Sequence, residues 1–149
     1  VRNCTAMALQ TVAKEMTVEE VLAKVEQDRG FYDTTGGGMT ISGGEMLSQP
    51  EFVRELVDKA AAHGIHVCLD TSGFGDGDLL EELAAQEIVT TVLYDMKSID
   101  DAIHQKCTGQ SNQLILENLR RLAGHPRINP KLQMRMPLVH NLNDDWSLI

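Results

Sequence analysis

Four polar clusters recur along this chain: Gly43-Gly44-Glu45, Asp70-Thr71, Asp95 with Lys97, and Arg135. Each closes a run rich in aliphatic and β-branched residues. Asp70 can accept hydrogen bonds from an ammonium group. Lys97 can hold a carboxylate, and Thr71 can donate to it. Asp95 can accept from ribose hydroxyls. Glycine at 43 and 44 removes side-chain bulk, so a ligand can touch the backbone. The set suits a zwitterionic amino acid joined to a sugar. It suits a nucleotide phosphate poorly, and the chain carries neither a GxGxxG nor a Walker lysine motif.

The elements that must position these groups alternate between helix and strand. Thr17 and Glu20 form a capping box, and Val18, Val21, Leu22 and Val25 follow helical spacing. A glycine-rich turn leads to a strand over 39–42. A second helix opens at 48–51 with Pro50 in its first turn, and Gly64 is placed to end it. Strands are expected at 65–70, 89–96 and 132–139. Helices are expected from 78–81 onward, around 101–107, and over 114–124. Strands separated by helices imply a parallel sheet with right-handed crossovers, so the fold class is α/β. Unit length suits a (β/α) barrel or an open doubly wound sheet. In both, ligands bind at the carboxyl ends of the strands. All four polar clusters fall there. Any one of them could be a solvated loop residue; four in register point to one binding mouth.

Composition narrows the function classes. The 149 residues carry a formal net charge of −9, which argues against binding along nucleic-acid phosphates. Hydrophobic residues make up 42%, enough for a core, yet no run is long enough to span a membrane. No charged-then-apolar leader is present, so a cytoplasmic location is expected. The three cysteines, Cys4, Cys68 and Cys107, do not form a disulfide framework. Cys68 is expected as a small core residue on a strand, and Cys107 as a structural helix residue. No pair of histidines has metal-ligand spacing.

"SGGE", "LDTSGF", "YDMK" and "RMPLV", in this order, resemble the radical S-adenosylmethionine enzymes. The nearer resemblance is to the activating enzymes of glycyl radical enzymes, the group of the pyruvate formate-lyase activating enzyme. Connecting text such as "MTVEEVLAKVEQDRGFYDTTGGG" and "TGQSNQLILENLRRLAG" is similar as well. The resemblance implies a partial (β/α) barrel of about four strand–helix units. It implies that Gly43, Gly44 and Glu45 hold the amino group of S-adenosylmethionine through backbone, and that Asp70 contacts the same group. Thr71 and Lys97 would bind the methionine carboxylate, Asp95 the ribose, and Arg135 would lie near cofactor and substrate. The implied reaction is reductive cleavage of S-adenosylmethionine by a [4Fe-4S] cluster. A glycine hydrogen is then taken from a partner glycyl radical enzyme, formate-lyase-like or dehydratase-like. An electron donor such as flavodoxin or ferredoxin would serve it under anaerobic conditions.

The chain departs from the family in three places. The CxxxCxxC cluster loop is missing, so the cluster ligands are expected upstream. Residues 1–16 read as the remnant of a cysteine-rich segment in which Cys4 would ligate an auxiliary cluster. Residues 17–149 read as the central part of the barrel, with further strands expected downstream. Met46 stands where a proline is usual, and "VHNLNDD" at 139–145 lacks the usual proline and glycine. Other readings stay open: another radical S-adenosylmethionine branch, such as the activase of anaerobic ribonucleotide reductase or a small-molecule enzyme, or a non-catalytic truncated fragment.

Overall fold

Four parallel strands form one sheet, in the order β1-β2-β3-β4, in the computed structural model, which describes residues 14–145. Cys4 lies outside the described residues. The strands are β1 Gly38–Ile41, β2 His66–Thr71, β3 Val89–Asp95 and β4 Leu132–Arg135. Each neighbouring pair is parallel, so the chain must return along a crossover between strands. The helices are α1 Val18–Val25, α2 Arg29–Thr35, α3 Pro50–Ala62, α4 Gly77–Ala84, α5 Asp101–Thr108 and α6 Gln113–Gly124. The parallel α/β sheet expected from the sequence is present, with β4 ending two residues before Pro137.

The sheet has two unlike faces. Met39, Ile41, Val67, Leu69, Val92 and Tyr94 are buried in one core with Leu22, Val57, Leu80 and Leu122 from the helices. The alternate residues Thr40, Cys68, Asp70, Asp95 and Arg135 retain exposure on the opposite face. Parallel strands are usually apolar on both faces. Here one face is given over to polar groups, and these lead to the site. Cys68 accordingly departs from the expected core position: it is half-buried, on the polar face. Burial raises its thiol pKa.

Local chemistry sets the helix ends. Thr17 Oγ1 accepts from Glu20 N at 3.2 Å, and Glu20 Oε2 accepts from Thr17 N at 2.9 Å. We expect Thr17→Ala to cost about 1 kcal/mol. That is a fall of roughly 2–4 °C in the unfolding midpoint of a chain this size, read by calorimetry. Asp76 caps α4 through Asp78 N at 2.8 Å, and Asp100 caps α5 through Ile103 N at 2.8 Å. The sequence reading assigned no element to 29–35, where α2 forms. Gly30, Thr34 and Thr35 are poor helix formers. The helix is supported instead by Arg29 paired with Asp33, and by Thr34 and Thr35 donating to Gly30 O and Phe31 O. Gly36, at φ 71°, ends it.

Candidate active site

Seven of the eight residues expected to bind a cofactor line one cavity of about 270 Å³ at the carboxyl ends of the strands: Gly43, Gly44, Asp70, Thr71, Asp95, Lys97 and Arg135. Strand geometry explains the convergence. Asp70 pairs in register with Leu93, and Asp95 with Arg135. Asp70 and Asp95 each end a strand on its polar face. Asp70 Oδ1 accepts from Arg135 Nη2 at 2.5 Å, and Asp70 Oδ2 accepts from Ser42 Oγ at 3.2 Å. Lys97 pairs with Asp95. The Asp70 and Asp95 side chains are 23% and 27% exposed, while Arg135 and Lys97 are 45% and 41% exposed. Ion pairs this wet contribute little to stability. Their partners can therefore be exchanged for a ligand's charges at small cost.

The glycines leave room beside them. Gly43 has φ 137°, a conformation closed to L side chains. A Cβ built at Gly43 or Gly44 would meet no atom within 4 Å. Bare backbone thus faces open space next to an acid and two cations. This donor set fits the methionyl and ribose parts of S-adenosylmethionine: an acceptor for the ammonium, cations for the carboxylate, and a second acid for a diol.

Glu45 is the eighth expected residue, and it does not line this cavity. Its Oε1 accepts from Thr71 Oγ1 at 2.7 Å and from Leu47 N at 3.2 Å. Its Oε2 accepts from Ser72 N at 2.9 Å and Ser72 Oγ at 2.5 Å. Glu45 therefore fastens the loop after β1 to the end of β2. The Thr71 hydroxyl is committed to the same lock. It is 2% exposed, donates to Glu45 and accepts from Gly73 N at 2.9 Å.

The lock continues into the sheet and α6. Gly73 has φ 75°, and a Cβ there would lie 1.7 Å from Tyr94 Oη. Tyr94 Oη donates to Ile115 O at 2.6 Å. Burial, then the nearby Glu45 charge, pushes the Tyr94 pKa above its ordinary range, so the phenol stays neutral. Asn118 Nδ2 donates to Gly73 O at 2.8 Å and to Gly75 O at 3.1 Å. Sequence reasoning passed over Asn118. Its signal was a polar residue on the buried stripe Ile115, Asn118, Leu122 of an amphipathic helix.

Among the described residues no group of three or more His, Cys, Asp or Glu could hold a metal ion. Cys68 lies on β2 and Cys107 on α5. The described residues therefore do not fit a [4Fe-4S] cluster, which needs a set of thiolates. No described helix is long and apolar enough to cross a membrane.

The chain is similar to known proteins. The isethionate sulfite-lyase activating enzyme of Nitratidesulfovibrio vulgaris is 46% identical over 95% of this chain and 45% of its own length. The pyruvate formate-lyase 1-activating enzyme of Escherichia coli is 40% identical over 89% of this chain and 52% of its own length. The chain spans about half the length of these curated relatives. A crystal structure of a domain of pyruvate-formate lyase-activating enzyme from Bacteroides vulgatus superposes with a TM-score of 0.65 at 32% identity, covering 75% of this chain and 66% of that one. The model of the radical SAM superfamily matches residues 4–147, and this chain belongs to that superfamily.

Proposed function

We propose that the chain is the S-adenosylmethionine-binding portion of an activating enzyme that installs a glycyl radical on a partner enzyme. The observation that carries the reading is the cavity in which Asp70, Asp95, Lys97 and Arg135 meet beside Gly43 and Gly44. Asp70 would release Arg135 and accept from the ligand ammonium. Lys97 would turn from Asp95 to the ligand carboxylate, freeing Asp95 for the ribose hydroxyls. Arg135 would complete the charge balance on the substrate side. Thr71 contributes through Glu45, by holding the end of β2 where Asp70 faces the cavity. Bound S-adenosylmethionine would supply the 5′-deoxyadenosyl group that takes the hydrogen. The proposal assigns the [4Fe-4S] cluster to cysteines other than Cys68 and Cys107. It assigns electron delivery to a carrier such as flavodoxin or ferredoxin.

Three measurements test this. Titration calorimetry should show S-adenosylmethionine binding to the chain, competed by methionine; no heat above dilution would overturn the cavity assignment. In the intact protein, under anaerobic reducing conditions, a glycyl radical signal should appear on a glycyl radical enzyme encoded beside it. An intact protein that cleaves S-adenosylmethionine and leaves that enzyme unmodified would favour another branch of the superfamily. The chain alone, reconstituted with iron and sulfide, should develop no cluster spectrum and form no 5′-deoxyadenosine. A stoichiometric cluster with product would reverse the assignment of the ligands.

A further inference from the structure

The segment after β4 folds back over the end of β3, and one side chain fastens it. Asn143 is 4% exposed, whereas Leu138 and Val139 are 55% and 49% exposed. Its Oδ1 accepts from Val139 N at 2.6 Å, and its Nδ2 donates to Pro137 O at 2.9 Å. These two bonds close a turn on itself. The second amide hydrogen goes elsewhere, to Lys97 O at 2.7 Å, across 46 positions of sequence.

That third bond reaches the backbone just beyond the end of β3. Just before Lys97, Met96 N donates to Arg135 O at 2.8 Å. Just after it, Ser98 O accepts from Asn112 Nδ2 at 3.0 Å. Between these two anchors lie the Met96–Lys97 and Lys97–Ser98 peptides, and Asn143 binds the carbonyl of the second. The bond ties the turn after β4 to the backbone from which the Lys97 side chain departs. Lys97 borders the charged cavity with Asp70, an adjoining open groove with Asp95 and Arg135, and an apolar pocket of about 170 Å³ formed with Cys107, Val139 and Leu142. We infer that Asn143 is a positioning residue that holds Lys97 toward the charged cavity and away from the apolar pocket. The inference rests on the reading of Lys97 as the carboxylate anchor.

A turn-forming role alone would need only the bonds to Val139 and Pro137. The test therefore reads Lys97. In Asn143→Asp the ionised carboxylate keeps the acceptor for Val139 N but faces the carbonyls of Lys97 and Pro137 with no donor. At neutral pH we expect roughly tenfold weaker S-adenosylmethionine binding, the loss of a hydrogen bond together with carbonyl repulsion. As pH falls toward about 4, the new carboxyl gains a proton and regains one donor. The ratio of wild-type to variant affinity should then shrink; titration of Asp70 and Asp95 is common to both proteins and cancels in the ratio. Without ligand, acetylation of Lys97 by an activated ester, followed by mass spectrometry against Lys131 as internal reference, should change several-fold in the variant. Asp144→Asn, one residue on, should change neither readout. If Asn143→Asp does not fold, Asn143→Ser, neutral and smaller, carries the affinity at neutral pH and the Lys97 reactivity, and the pH arm applies to Asn143→Asp alone. Unchanged Lys97 reactivity, or an affinity ratio flat with pH, overturns the inference. Failure of the wild-type chain to bind S-adenosylmethionine would overturn the cofactor reading, and the reactivity of Lys97 would still decide the role of Asn143.

Discussion

Asp70→Ala and Lys97→Ala should each weaken S-adenosylmethionine binding by about tenfold or more, because a charge-assisted hydrogen bond contributes roughly 1.5–3 kcal/mol. The two losses differ in kind. Removing Asp70 takes away the acceptor for the ligand ammonium and also frees Arg135, which Asp70 holds at 2.5 Å. Removing Lys97 takes away a carboxylate donor and leaves Asp95 without its cation. The side chains sit in a partly wet cavity, so neither change should lower the unfolding midpoint by much. A ligand lacking the carboxylate should bind wild type weakly and be little affected by Lys97→Ala. Calorimetry on the two variants with both ligands checks all of this. Affinities equal to wild type in both variants would remove these residues from the site.

Glu45→Gln should act mainly on stability. The carboxylate accepts four hydrogen bonds, two on each oxygen. An amide has one acceptor oxygen, so in either orientation its NH₂ group must face a backbone N–H, and a hydroxyl that can no longer donate to it. Thr71 Oγ1 is buried and Ser72 N has its partner in Glu45, so the unsatisfied groups cost about 2–3 kcal/mol. For a chain of this size that corresponds to roughly 4–12 °C in the unfolding midpoint. Binding should weaken less than in Asp70→Ala, because Glu45 reaches the ligand only through the end of β2. The opposite pattern, an unchanged midpoint with a large loss of affinity, would mean that Glu45 touches the ligand directly.

The contrast between Glu45 and Asp70 shows how far the sequence could be read. Both are acids at the end of an aliphatic run, and spacing alone gives them the same role. The sheet separates them. Asp70 is the last polar-face residue of β2, whereas Glu45 lies two residues beyond Gly43, whose φ of 137° turns the chain. Backbone conformation at that glycine is a tertiary outcome that residue types do not encode locally. Periodicity did reveal the four strands, because alternation between buried and polar residues is a local pattern. It missed α2, where side chains bonding back to Gly30 O and Phe31 O outweigh poor intrinsic propensity. It also passed over Asn143, whose bond to Lys97 spans most of the second half of the chain.

The strand order bears on how the protein is made. Each strand lies beside the one synthesised just before it. A chain leaving the ribosome can add β2 to β1, then β3 to β2, with no strand waiting for a distant partner. Pairings between sequential neighbours keep loop closure short and favour rapid folding. The cavity does not share this schedule. Asp70 is in place once β2 has formed, but its partner Arg135 arrives 65 residues later. A nascent chain that has not yet reached β4 therefore holds three strands and the Asp95–Lys97 pair but lacks Arg135, so the charge set of the mouth is completed only when β4 joins the sheet.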